Sequence, residues 1–362
     1  MSDETVTRAD PTETSAGLPR TVEELTPEWL TAALAVRRPG VRVREATIDR
    51  VISGSATKAF LTLRFEGDPQ GVPEQVCVKG GFDERSRAFG LAQAYEIEGA
   101  FYRDLAPELD VRLPACYFAE VEPGQGIVLL EDLTTSGATF GDVDALWPVD
   151  RVAEALEVQA GWHAALWGTP ATRFPWLKIG CIAARDALHV MLGPEQFQPL
   201  VTRPGMPDVS APLRDEAHVR RAFRALWEHD DAAEHTVNHG DAHFAQTYLL
   251  PEDGPAFLDW QAPCLAPWSH DVTYFLGSAL TVEDRRRHER SLLAHYLEAL
   301  AGLGGPRIPF DDAWTDYRRH TLHGFAWMVV PDVMQPIEVV RSMATRYAAA
   351  IEDHDPFSLL LA

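Results

Sequence analysis

Residues Thr236 to Gln261 read TVNHGDAHFAQTYLLPEDGPAFLDWQ. His239, Gly240, Asp241, His243 and Gln246 fall in a short polar loop, and Thr247 to Leu250 form an apolar strand. An acidic turn with Gly254 follows, and Ala256 to Leu258 form a second strand that ends on Asp259. Two strands joined by a tight turn lie side by side, so the residues before the first and after the second arrive at one edge. Asp241, Gln246 and Asp259 are therefore expected to converge. Two carboxylates close together in a partly dry site repel strongly and are tolerated when a cation lies between them. Oxygen-only ligands select Mg²⁺ over zinc.

HGDAHFAQ followed by LDWQ resembles the catalytic loop and metal-binding segment of the aminoglycoside phosphotransferase and choline kinase families, small-molecule relatives of the protein kinases. The run PWSHDVTYFL, with Asp271 twelve residues after Asp259, is most similar to the ecdysteroid-kinase-like branch. The resemblance implies an α+β, protein-kinase-like bilobal fold, with a small antiparallel sheet lobe and a mainly helical lobe. It implies ATP and Mg²⁺ as cofactors, Asp241 as catalytic base, and Gln246 and Asp259 as the metal holders. His239 would support the loop, and Asp271 would brace it from a helix start. His243, two residues past the base, would lie in reach of the transferred phosphate as a second catalytic residue. The family usually has Asn where this chain has Gln246, whose amide offers the same kind of carbonyl oxygen.

Upstream, the periodicity is that of strands. VRVREATIDRVI, AFLTLRFEG and EQVCVKGGF, each bounded by Gly, Pro or Asp, predict an antiparallel sheet. The turn after the first strand, Ser53-Gly54-Ser55-Ala56-Thr57-Lys58, is small and hydroxyl-rich, so its N–H groups can approach an anion. Its place two strands before Lys79 matches the phosphate-covering loop and lysine strand of the kinase fold. Lys79 ends an apolar strand, where an ammonium requires an anionic partner. The next helix, RAFGLAQAYEIEGAFYRDLAPEL, offers Glu96 and Glu98 on different faces, and the resemblance of EGAFYRDL to the family pattern favours Glu98. ACYFAEVE, a turn at PGQG, and IVLLEDL come next. By the same resemblance, backbone groups around Leu130, Glu131 and Leu133 would meet an adenine edge.

Farther on the pattern is helical. VDRVAEALEVQAGWHAALWG carries an apolar face with His163 in it, read as a core residue. Helices are also expected through ARDALHVML, HVRRAFRALWEHDDA, EDRRRHERSLLAHYLEALAG, DDAWTDYRRHTLHGFAWMVV and IEVVRSMATRYAAAIEDH, with Pro194 to Pro212 a long loop. Thr21 and Glu24 form a capping-box pattern before one or two short helices. The expected organisation is a disordered tail over 1–20, a nucleotide-binding sheet lobe over 21–130, and a catalytic and substrate-binding lobe over 131–362.

A formal net charge of −22 argues against nucleic acid or anionic membrane as partners. Three lysines, Lys58, Lys79 and Lys178, stand against 29 arginines, which singles out the lysine on the apolar strand. Four scattered cysteines without metal-like spacing, a polar acidic start and no apolar run of membrane-spanning length predict a cytoplasmic protein with reduced thiols.

Two other readings fit parts of the chain. His239 and His243, four apart, resemble half of a zinc site, but this leaves Lys79 and Glu98 without a role. A kinase-like module that binds nucleotide without turnover would lack the base, the lysine or the second carboxylate, and all three are present. The acceptors that the resemblance implies are antibiotics, sugars, amino alcohols and sterol-like alcohols. Phe325-Ala326-Trp327-Met328 suits either an apolar acceptor pocket or the core.

Overall fold

The computed structural model describes residues 17–54, 56–84 and 92–362. Ser55, most of the expected tail and the start of the helix after Lys79 lie outside them. The fold is α+β, with two compact units, Met1–Gly99 with Cys116–Glu131 and Ala100–Ala115 with Asp132–Ala362.

The first unit is a five-stranded antiparallel sheet with two helices. Strands β1 (Val43–Ile52), β2 (Thr57–Phe65), β3 (Gln75–Gly80), β4 (Cys116–Glu122) and β5 (Gln125–Glu131) are ordered β1-β2-β3-β5-β4. Burial alternates along β2, as expected of a strand with one face on a core, whereas β1 at the sheet edge is mostly exposed. Helix α1 (Pro27–Ala35) starts on Thr26, whose side chain accepts the Trp29 N–H, with Pro27 where a missing donor costs nothing. It buries Leu30 and Leu34 against the sheet core with Leu61, Leu63, Val76, Val78 and Leu129. Helix α2 (Ala92–Ala100) passes close to the β4–β5 turn. A Cβ on Gly126, the second residue of β5, would lie 2.0 Å from the Tyr95 carbonyl oxygen, so that position accepts glycine alone.

The second unit begins with a π-helical turn at Phe101–Leu105 and is mainly helical. In chain order it contains β6 (Thr139–Phe140), α3 (Val149–Ala165), α4 (Ile182–Met191), α5 (Pro194–Val201), α6 (Ala211–Arg214), α7 (Glu216–Ala232), β7 (Thr236–Asn238), β8 (Thr247–Leu250), β9 (Gly254–Phe257) and β10 (Cys264–Ala266). These are followed by α8 (Ser269–Ala279), α9 (Val282–Gly302), α10 (Phe310–His320), α11 (Ala326–Val329), α12 (Ile337–His354) and α13 (Pro356–Leu360). Every residue of α8 is buried, so the helix runs through the middle of this unit. None of the helices among the described residues is long and apolar enough to cross a membrane.

Two expectations are corrected. The Pro194–Pro212 stretch is not one loop. Residues Pro194–Val201 are helical, with Pro194 in the first turn where no N–H is needed, and Phe197 and Val201 fix the helix to the core. The stretch from Asp311 to Val330 is not one continuous helix either. It breaks into α10, a 3₁₀ segment at Thr321–Phe325, and α11. The 3₁₀ segment contains Gly324, where a Cβ would lie 2.0 Å from the Tyr347 ring, so α12 packs directly on bare backbone there.

Candidate active site

In the sheet unit, Lys79 on β3 sits between Lys58 of β2 and Val128 of β5. Its Nζ lies 2.9 Å from Glu98 Oε1 and 2.8 Å from Oε2, and the two side chains are 5% and 2% exposed. Glu96 turns the other way and accepts the Gly124 N–H. Both ions are out of water, so each depends on the other to offset its desolvation. Ser53 and Gly54 stand in the β1–β2 turn. At the end of β5, Leu130 has partners on both sides, Cys77 and Cys116, while Glu131 pairs with Val76. Leu133 belongs to the helical unit, where its carbonyl accepts from Ser136.

The loop His239–Gln246 is built from its backbone outward. Strand β7 pairs with β10, Asn238 opposite Cys264, which fixes where the loop starts. The Asn238 amide donates to the Ala266 carbonyl and accepts from the Asp271 N–H. Gly240 has φ +80, and a Cβ there would lie 2.0 Å from the Ala262 carbonyl oxygen. Asp271, at the start of α8, accepts from His239 N–H at 2.6 Å and Gly240 N–H at 3.0 Å. Burial alone would raise its carboxyl, but the hydrogen bond and charge of His163, with His270 and His239, hold it below the usual range. His163 lies 3.5 Å from Asp271 through Nε2, and its Nδ1 meets the Tyr296 hydroxyl at 2.8 Å.

His239 accepts the Asp241 N–H at Nδ1 and donates from Nε2 to the Leu258 carbonyl. That pattern assigns the neutral tautomer with its proton on Nε2, and burial lowers the pKa accordingly. Both nitrogens are spent, so His239 has none left for a metal. Among the described residues, no group of three or more His, Cys, Asp or Glu is placed to hold a metal ion. His239, held in this way, does not turn toward a shared site with His243.

Asp241 Oδ2 accepts from Gln246 Nε2 at 3.2 Å, and His243 Nε2 lies 3.7 Å away. Burial raises the Asp241 carboxyl to about 7; Asp259 and Asp271 add to the rise, while His239 and Gln246 oppose it. The side chain is still 42% exposed, so water screens part of this effect. The Gln246 carbonyl accepts the Leu258 N–H, tying the loop to the strand end that carries Asp259. Asp259 itself has φ 68, a left-handed conformation that costs a non-glycine residue free energy and is typical of functional sites. Gln246 uses its amide nitrogen on Asp241, and the side-chain oxygens of Gln246 and Asp259 are the groups that could hold a hard cation. Mg²⁺ suits so sparse an oxygen set because it keeps water and phosphate oxygens in its shell.

His243 is buried, and burial pushes its pKa down to about 4. A neutral imidazole does not supply positive charge to a phosphate. Its ring stands edge-on to Tyr274 and Trp327, at 5.9 and 5.3 Å between centroids. Phe325, Trp327 and Met328 belong to the core, and Trp327 Nε1 donates to the Tyr274 hydroxyl. Two supports escaped the sequence reading. His163, read as an ordinary core residue, faces Asp271. Ser278, whose hydroxyl accepts the Phe244 N–H at 2.9 Å, lies seven residues after Asp271 on the same helix face, and that spacing was a usable signal.

A family model described as the ecdysteroid kinase-like family matches residues 213–303, which include the loop, the hairpin and α8. No curated protein matches. Solved structures similar to the chain include the macrolide 2'-phosphotransferase MphH from Brachybacterium faecium, at 18% identity over 89% of this chain and 97% of that one, with TM-score 0.48. A choline/ethanolamine kinase family protein from Mesorhizobium loti is 13% identical over 92% and 98%, with TM-score 0.48. Spectinomycin phosphotransferase in complex with ADP and spectinomycin is 12% identical over 90% and 97%, with TM-score 0.47. The chain is thus similar to small-molecule phosphotransferases.

Proposed function

We propose that this chain, whose residues 213–303 match the ecdysteroid kinase-like family, moves the γ-phosphate of ATP to a hydroxyl of a small molecule in the cytoplasm. The observation that carries this reading is the Asp241 loop. Its main chain is braced by Asp271, its carboxyl is raised to about 7, and Gln246 stands hydrogen-bonded beside it. A general base works best when its pKa lies near the working pH. Asp241 accepts the proton of the acceptor hydroxyl as that oxygen attacks phosphorus. His239 stays neutral and holds the loop from behind. His243, neutral and apolar in its surroundings, shapes the acceptor side. Gln246 and Asp259 hold Mg²⁺, which when bound neutralises charge on the phosphate oxygens. Lys79, kept in place by Glu98, supplies the positive charge for the nucleotide phosphates. Ser53, Gly54 and Ser55 cover these phosphates, and Leu130, Glu131 and Leu133 present backbone groups to the base.

A panel of alcohols, amino alcohols, sugars and antibiotics incubated with ATP and Mg²⁺ tests this through ADP release. At least one acceptor should give turnover that falls roughly 10²–10⁴-fold in Asp241→Asn, with nucleotide binding retained. Turnover at the parental rate in that variant would remove Asp241 from the base role. ATP binding with no turnover on any acceptor would favour a module that binds nucleotide only.

A further inference from the structure

Cys181 and Cys264 are far apart in sequence and in contact in the fold. Ile179 and Leu265 form a parallel bridge, in which Gly180 N–H donates to the Leu265 carbonyl at 2.9 Å and Leu265 N–H to the Lys178 carbonyl at 2.8 Å. Cys181 therefore follows the bridge by two residues, and Cys264 precedes it by one. Both cysteines belong to one small buried cluster with Ala266, at 8% and 2% exposure. The Cys181 thiol also reaches the Ala262 carbonyl, with Sγ 3.6 Å from that oxygen. Neither sulfur has a part in the phosphoryl transfer described above.

The two sulfurs are chemically unlike. The neighbouring Cys264 thiol favours ionisation of Cys181 and lowers its pKa against the effect of burial. The proximity of Cys181, with burial, holds the Cys264 proton in place. Cys181 also lines a small pocket with Gly180, Ala184, Arg185 and Trp227. A thiol that ionises more readily, next to a second thiol, is the arrangement that thiol–disulfide exchange uses.

We propose that Cys181 and Cys264 form a reversible disulfide site that reacts with low-molecular-weight disulfides and acts on the Asp241 loop. The Cys181 thiolate attacks one sulfur of the reagent, forming a mixed disulfide and releasing one thiolate. Cys264 then loses its proton to water and attacks the Cys181 sulfur, releasing the second thiolate. The protein gives up two protons and two electrons, and the reagent leaves as two thiols. Closure removes the Cys181 S–H that reaches Ala262, whose carbonyl oxygen is the atom packed against Gly240. It also ties down Cys264, the register partner of Asn238 just before the loop.

The full chain is incubated with oxidised glutathione, alkylated after denaturation, and mapped by mass spectrometry without reduction. The expected product is one cross-linked peptide pair joining Cys181 to Cys264, reversed by dithiothreitol, with altered amide hydrogen exchange over residues 239–246. Cys264→Ser should stop the reaction at a stable glutathione adduct on Cys181. Recovery of both residues as alkylated thiols, or a link through Cys77 or Cys116, would overturn the site. A formed link with unchanged exchange over 239–246 would overturn its action on the loop. These readouts need no phosphate transfer, so they stand apart from the activity assay.

Discussion

The Asp271 carboxylate accepts the main-chain N–H groups of both His239 and Gly240, at 2.6 and 3.0 Å. One side chain on α8 thus fixes the orientation of the two peptides that lead into Asp241. Both bonds are charge-assisted and buried, the class that contributes most per bond. Asp271→Asn keeps the shape but offers one acceptor oxygen and turns an NH₂ toward an N–H. The variant should lose about 2–3 kcal/mol of stability in urea denaturation and a larger share of its turnover than of its folded fraction. An unchanged denaturation midpoint would remove the bracing role.

Lys79 and Glu98 predict a pattern that a surface ion pair would not give. With both side chains almost fully buried, Lys79→Ala or Glu98→Ala alone should cost about 3–5 kcal/mol, because each removes one member of a buried ion pair. Replacing both by Met and Leu should restore most of the stability. It should not restore ATP use, since Lys79 supplies charge to the phosphates. Denaturant melts of the two single variants and the double variant give the coupling energy, and additive single losses would show that the pair is not coupled.

Asp241 sets the pH dependence. Its active form is the carboxylate, so with a folded pKa of about 7 the rate should rise with pH through the neutral range and level off above it. The sign for stability is the opposite. A carboxyl with a pKa raised in the folded state from the ordinary 3.8 binds its proton more tightly when folded. The stability it contributes is full below the unfolded value and is lost as pH rises through about 7. In the metal-free protein, Asp241→Asn should flatten this decline, giving a higher Tm than the parent on the alkaline side. An acid limb in kcat/KM at the ordinary carboxylate value would contradict the raised pKa.

What the sequence disclosed, and what it hid, follows from the range of the forces involved. The β8–β9 hairpin and the loop before it were legible because turn chemistry and strand alternation are local. Lys79 stood out because an ammonium at the end of QVCVK has few ways to be satisfied. The 3₁₀ break at Thr321–Phe325 was hidden, since helical periodicity runs through it and the close packing of Tyr347 on Gly324 comes from α12, distant in sequence. His163 was read as a core residue because nothing near it in sequence announces Asp271, more than a hundred positions away. His243 stands out in the sequence only by its place two residues past the base. Its neutrality comes from burial against Tyr274 and Trp327, which no spacing records.

Gly240 gives the sharpest contrast between backbone and side-chain control. Its φ is +80, and a Cβ would meet main-chain atoms of Ala262, the oxygen at 2.0 Å and the carbon at 3.0 Å. Neither can move as a side-chain end would, so Gly240→Ala must shift the peptide that precedes Asp241. A displacement of this kind can cost on the order of 10²-fold in rate even when the chain stays folded. Gly304 has a similar φ of +92 with nothing within 4 Å. Gly304→Ala should therefore show only the conformational cost, about 1 kcal/mol, with turnover unchanged. Measured side by side, the two variants separate the strain of a left-handed alanine from the loss of loop position. Equal turnover in both would mean that the Ala262 contact does not position Asp241.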